Sequence, residues 1–207
     1  MTISRFFAHV SVAVLAVATV VSCGDDENSI CVGDETVIVA LSLESVWIYR
    51  VTDRDTANVL LDIFEDTIMI VKDTMIEGQP WFITSIEDEL WVNRADGFWV
   101  WENFASDEIA PHLLAKFPAV LGQKYPIPVS DGPADTMKIA DMLALVNVPY
   151  GAFEAITYQK STPGDTVVSL GYYVRGIGKV REILIQDRGT NQILRTIELL
   201  KFTTAGC

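Results

Sequence analysis

Between Thr36 and Phe202, short runs of β-branched, aromatic and aliphatic residues are separated at short intervals by Gly, Asp, Asn and Pro. Runs of this length with this punctuation predict an antiparallel, mainly all-β chain. The expected strands begin with Thr36 to Leu43 and with Ser45 to Thr52, where Trp47, Tyr49 and Val51 share one face. Thr67 to Asp73, Pro80 to Ile86, Leu90 to Arg94 and Phe98 to Asn103 follow. The last two flank Ala95-Asp96-Gly97, and Asp-Gly is a strong hairpin signal. Leu60 to Glu65 fits a short helix or a strand, because periodicity does not separate the two over so few residues.

The middle of the chain is different. Ser106 to Pro133 carries Pro111, Pro118, Pro126, Pro128 and Pro133, which cannot lie inside central strands. This segment is expected to wrap the sheet or close one end of it, with Ser106-Asp107-Glu108 capping a short helical turn. Pairing is expected to resume over Thr136 to Val148, Ala152 to Gln159 and Val167 to Val174. Lys179 to Gln186 and Gln192 to Phe202 make a final hairpin across Asp187-Arg188-Gly189-Thr190. No linker or low-complexity run divides the chain, so the expectation is one domain over 36–207, a strongly curved sheet or partly closed barrel.

The first residues read as an address. Arg5 supplies a positive charge, and Phe6 to Val21 is an apolar run broken only by His9, Ser11 and Thr19, too short for a comfortable transmembrane helix. It ends in Val20-Val21-Ser22-Cys23, which resembles the bacterial lipobox. The resemblance implies a signal peptide over 1–22, cleavage before Cys23 and acylation of that cysteine with diacylglycerol and palmitate-type chains. Several chains on one residue make membrane attachment durable, where a single chain binds marginally. Gly24 stands where an inner-membrane retention aspartate would be, so the expected location is exported and lipid-anchored, with the outer membrane favoured. Asp25-Asp26-Glu27 resembles a surface-export signal of some bacterial lipoproteins, and equally fits a solvated tether over 23–35.

Charge and cysteines narrow the options. The formal net charge is -13, and removing residues 1–22 deletes one Arg and no acid, making it more negative by one unit. Such a chain is repelled by nucleic acid and by anionic headgroups. With Cys23 taken by lipid, Cys31 and Cys207 remain as a disulfide pair or as two free thiols. Pairing them would suit first and last strands that lie antiparallel side by side. In the entropy model so long a loop is worth on the order of 4–5 kcal/mol.

Tyr172-Tyr173-Val174-Arg175-Gly176-Ile177-Gly178-Lys179-Val180-Arg181-Glu182 resembles a segment that recurs in bacterial envelope proteins. That resemblance implies a β fold and carries no assigned chemistry. Gly176 and Gly178 would permit a sharp strand-to-strand corner or bulge.

Catalytic and metal signals are thin. After cleavage His112 is the only histidine, expected in a surface loop, and no Gly-x-Ser-x-Gly elbow is present. One His and two paired Cys do not make a zinc site, and Asp53-x-Asp55 lacks the later ligands of a calcium loop. Glu87-Asp88-Glu89 and Asp131-Gly132-x-x-Asp135 read as solvated turns. No cofactor pattern appears.

The aromatics are more suggestive. Trp81, Phe82, Trp91, Phe98, Trp99, Trp101 and Phe104 crowd one stretch, and both faces of Phe98 to Phe104 want burial. One face is expected in the core, and the other in either a second core layer or a ligand groove. Trp81, Trp91, Trp99 and Trp101 are the candidate ligand contacts. The favoured reading is a lipid-anchored, non-enzymatic binding or carrier module for an apolar ligand. An interaction lipoprotein docking envelope partners is the alternative, and a glycan hydrolase using two carboxylates ranks below both.

Overall fold

The computed structural model describes residues 32–86, 89–102, 110–130, 132–164, 166–188 and 191–205. The lipobox with Cys23, the acidic residues 25–27, Cys31, Cys207 and the expected turn at Ser106-Asp107-Glu108 lie outside the described residues. The first six strands are β1 (Val46–Asp55), β2 (Leu60–Ile76), β3 (Gln79–Thr84), β4 (Glu89–Arg94), β5 (Gly97–Glu102) and β6 (His112–Lys116). The remainder are β7 (Lys124–Ile127), β8 (Asp135–Val148), β9 (Gly151–Ser161), β10 (Val167–Val174), β11 (Gly178–Arg188) and β12 (Asn191–Thr203). All belong to one 12-stranded antiparallel sheet in the order β6-β5-β4-β3-β2-β1-β12-β11-β10-β9-β8-β7.

This order is two meanders joined back to back. The join is the pairing of β1 with β12, with Val46 opposite Thr203, so the first and last strands are antiparallel neighbours. The proline-rich middle supplies both free edges, β6 and β7, and residues 117–123 pass from one to the other. Pro126 lies within β7, where an edge strand tolerates a missing N–H. The edges nearly meet. The Tyr125 hydroxyl donates to the Leu114 carbonyl at 3.0 Å and accepts from the Lys116 amide at 3.2 Å. The Tyr158 hydroxyl donates to the Lys116 carbonyl at 2.7 Å. Side chains bridge the seam that ladder bonds leave open, and the sheet is an almost closed barrel.

Two expectations change. Thr36 to Leu43 is not a strand; it is an irregular segment packed into the barrel, with Ile38 and Val39 only 1% and 3% exposed. An apolar β-branched run looks the same in sequence whether it pairs at a sheet edge or plugs a barrel. The plug is fixed through its backbone. Gly33 N donates to Gly176 O at 3.0 Å, Gly176 N to Val37 O at 3.0 Å, and Asn93 Nδ2 to Val39 O at 2.8 Å. Among the described residues, Gly33 is already packed, inside the stretch assigned to the tether. Leu60 to Glu65, left open between helix and strand, is strand: β2 pairs with β1 over its first part and with β3 over its last. One long strand serving two partners end to end reflects the stagger that curls a sheet into a barrel.

The core is aromatic at its centre. Trp47 stacks on Phe202 at 5.3 Å and meets Trp91 edge-on at 5.4 Å, and Trp91 meets Phe98 at 5.3 Å. The buried indole of Trp47 keeps a partner, donating to Ile177 O at 2.7 Å. Gly176 and Gly178 have φ of 71° and 94°, and form the corner between β10 and β11 that their spacing implied.

Candidate functional site: a cavity inside the barrel

Register determines which side chains enter the barrel. On β4 and β5, Trp91 lies opposite Val100 and Glu89 opposite Glu102, while Phe98 continues the same inward face. On β1, Trp47 and Tyr49 point in, and Val39 of the plug forms the floor. These walls enclose a cavity of about 290 Å³. Its exposed members, Ile86 and Glu102, mark the mouth.

The wall from β10 and β11 is polar. Lys179 and Glu182 are three residues apart and in a regular strand would face opposite ways. A bulge prevents that: Tyr172 lies opposite Arg181, yet Tyr173 lies opposite Lys179, so Val180 is an extra residue. Both side chains then face the cavity. Lys179 Nζ donates to Glu182 Oε2 at 2.6 Å, and Ser169 Oγ donates to Glu182 Oε1 at 3.0 Å. Burial alone would depress the lysine, but Glu182 and its neighbours hold it above its usual range. Burial alone would raise Glu182, but Lys179 and Ser169 hold it below the usual carboxylate range. The pair is a fixed zwitterion. Lys160, also lining the cavity, pairs with Asp135 at 3.2 Å.

Glu89 behaves differently. Burial raises its carboxyl above the usual range, and Glu102 adds to this; a hydrogen bond from the Trp91 indole and the charge of Lys179 oppose it. Glu89 is therefore a cavity residue, not part of a solvated turn. Asp135 is likewise buried and ion-paired on β8. The sequence misplaced both because an acidic residue next to turn residues is more often wet than buried. His112 is also relocated: it lies buried on β6 opposite Val100, and burial keeps its imidazole below the usual range. Its Nδ1 has no hydrogen-bond partner among the described residues.

The candidate tryptophans separate by face. Trp91 lines the cavity. Trp81, Trp99 and Trp101 lie on the opposite side of the sheet, around buried Leu90 and Val92. There Arg94 sits 5.3 Å over Trp81 and 4.4 Å over Trp99, and Trp99 Nε1 donates to Asp96 Oδ1 at 2.9 Å. The outer aromatics thus form a second, half-covered core layer. Large exposed apolar side chains are found elsewhere, on β2 at Leu60, Leu61, Ile63 and Phe64. Asp53 and Asp55 have structural partners: Arg195 grips Asp53 at 2.8 and 2.7 Å, and Asp55 accepts the amides of Ala57 and Val59. Among the described residues no three His, Cys, Asp or Glu side chains are grouped to hold a metal.

Lys179, Glu182, Ser169 and Glu89 are the site residues that sequence reasoning missed. Lys179 and Glu182 stand in the segment Tyr172 to Glu182, where Gly176 and Gly178 carry the stronger sequence signal. Their common face depends on a bulge that period-two reading places nowhere.

No protein-family model and no curated protein sequence matches the chain. Among solved structures it is similar to a Parabacteroides distasonis protein classed as a lipoprotein. The TM-score is 0.37 with 10% identity, over 81% of this chain and 99% of that one. An exported Bacteroides fragilis protein with a YmcC-like fold gives 0.38 with 10% identity, over 84% and 100%. A LolA superfamily protein of Nitrosomonas europaea gives 0.33 with 7% identity, over 84% and 91%. At such distances the site has to be read from its own side chains.

Proposed function

We propose that the chain is an exported, lipid-anchored, non-enzymatic binding module whose barrel cavity takes a small ligand with an apolar body and a polar head. One observation carries this: a cavity of about 290 Å³ with an aromatic wall of Trp47, Trp91 and Phe98 facing the Lys179–Glu182 pair. The volume lies at the lower end of ligand pockets, which run from roughly 300 to 1,000 Å³. It suits a small amphiphile or a short acyl segment, not a whole diacyl lipid. The apolar ligand expected from the sequence gains a polar head in this reading. Anchoring through Cys23, an outer-membrane location and the pairing of Cys31 with Cys207 belong to the same proposal and rest on the sequence.

Glycan hydrolysis fits the geometry less well. It needs two carboxylates flanking one bond, whereas Glu89 and Glu102 are neighbours on one wall and Glu182 is held by Lys179 and Ser169. Docking of an envelope partner is a second reading, favoured by the exposed apolar residues of β2.

The test uses the exported chain carrying Cys23→Ser and the neutral fluorophore 1-aminoanthracene. One-to-one binding is expected, with quenching of tryptophan fluorescence. Leu114→Trp, which fills the cavity from β6, should weaken binding at least tenfold. Absence of binding, or binding indifferent to Leu114→Trp, would overturn the proposal.

A further inference from the structure

We infer that the cavity selects an organic cation, its ammonium head held between Glu89 and Glu102 and its apolar body against Trp47, Trp91 and Phe98. This rests on the binding reading above and specifies the ligand's charge.

The first step is a census of charge around the cavity. Glu89, Glu102 and Glu182 line it together with Lys160 and Lys179. Both lysines are committed: Lys179 to Glu182 at 2.6 Å and Lys160 to Asp135 at 3.2 Å. Among the described residues Glu89 and Glu102 belong to no ion pair. The lining therefore carries the Lys179–Glu182 pair, a second lysine held by Asp135 from outside the lining, and two carboxylates left over. An anionic head would lie beside uncompensated negative charge, with no free lysine to receive it.

The second step is register. Glu89 and Glu102 are directly opposite each other on β4 and β5, on the inward face. Like charges directly opposite each other destabilise a sheet. Hydrophobic or oppositely charged residues there would strengthen the barrel, and this chain has neither. A cation between the two carboxylates relieves the repulsion. Lys179 acts on Glu89 through space but is already bonded to Glu182, and burial lowers the pKa of the buried His112 imidazole that interacts with Glu102.

The third step distinguishes an organic cation from a metal ion. The wall beside the carboxylates is aromatic, with Trp91 donating its indole N–H to Glu89 and meeting both Trp47 and Phe98 edge-on. Aromatic faces attract weakly hydrated ammonium groups through the ring quadrupole. A metal ion would want further oxygen or imidazole ligands, and no three-ligand group is present among the described residues.

Three probes built on an eight-carbon chain make the test: octyltrimethylammonium, octanoate and 1-octanol, each titrated by calorimetry into the exported Cys23→Ser chain. The expected order is cation first, with octanoate at least tenfold weaker. Glu89→Gln and Glu102→Gln should each weaken the cation several-fold and leave octanol unchanged. Cation affinity should also rise with pH as Glu89 ionises, and lose that dependence in Glu89→Gln. Equal binding of all three probes would overturn the cation inference while leaving the binding module standing. Tighter octanoate would overturn it and reverse the assigned charge. Failure of all three, together with 1-aminoanthracene, would overturn both.

Discussion

Lys179→Met tests whether the inward salt bridge is a structural centre of the barrel. The substitution keeps the length and apolar stem of the side chain but leaves Glu182 with the Ser169 hydroxyl at 3.0 Å and the more distant charge of Lys160. Breaking a fully buried pair by removing one partner costs about 3–5 kcal/mol. Here the side chains are 26% and 18% exposed, and that exposure is toward the cavity, so water shares the stranded charge. A loss of about 2–3 kcal/mol at pH 7 is therefore expected. The pH dependence follows from the two carboxyl environments. In the native chain Glu182 sits below its usual range, so its contribution is present above an ordinary carboxylate pKa and is lost as pH falls through its folded value. Without Lys179, burial dominates and Glu182 moves above its usual range. The penalty is then largest when the group is ionised and fades as pH falls. Urea unfolding at several pH values should show the variant's deficit shrinking from pH 8 toward pH 5. The double variant Lys179→Met/Glu182→Gln should recover most of the deficit at pH 8. A deficit below about 1 kcal/mol, one that widens toward acid, or a double variant no better than the single would refute the reasoning.

The remaining predictions concern the corner that holds the plug and the chain's two ends. Gly176→Ala should cost about 2 kcal/mol or more by urea unfolding, because its φ is 71° and a Cβ would lie 2.8 Å from the Gly33 carbonyl. Gly78→Ala, with φ of 77° and nothing within 4 Å, should cost only about 1 kcal/mol, and similar losses at both sites would remove the packing argument. A Cβ built on Gly33 would lie 3.5 Å from Thr204 Cγ2, which brings the flanks of Cys31 and Cys207 together. Intact-mass measurement of the exported chain should therefore show a pair of hydrogens gained on reduction. Two titratable thiols in the unreduced chain would sink that expectation.

The fold was legible because most of its strands obey period two between strong turn signals. Asp96-Gly97, Pro149-Tyr150 and the Gly176-Ile177-Gly178 corner all turn the chain as their chemistry requires. Where the sequence misled, tertiary context chose between equivalent local options. The run Thr36 to Leu43 has strand composition, and only the barrel's open end makes it a plug. His112 stands among prolines that mark an edge strand and not a loop, so its burial follows from the sheet curling back over that edge. The candidate site was half legible: Trp91 came from the aromatic density, but its companions Trp81, Trp99 and Trp101 share a strand pattern whose inward face is fixed by pairing. Lys179 and Glu182 needed the bulge at Val180, which no local residue announces.

Plug, corner and the end of β12 converge, and this bears on how an anchored domain would meet its ligand. Gly33 bonds the β10–β11 corner, lies near Thr204 at the end of β12, and begins the segment whose Val39 floors the cavity. An anchor at Cys23 would thus hold the barrel by its plugged side, ten residues upstream of Gly33 in a chain of 207 residues. The mouth, marked by Ile86 and Glu102, belongs to a different set of strand ends. A ligand would then reach the Glu89–Glu102 pair from the aqueous side, and a tether this short would not need to be displaced to admit it. On the proposed anchoring, Asp25, Asp26 and Glu27 would be repelled by anionic headgroups. On this geometry, ligand entry depends on the barrel's mouth and not on release of the plug, so loosening the plug through Gly176→Ala should reduce stability well before it alters the preference among the octyl probes.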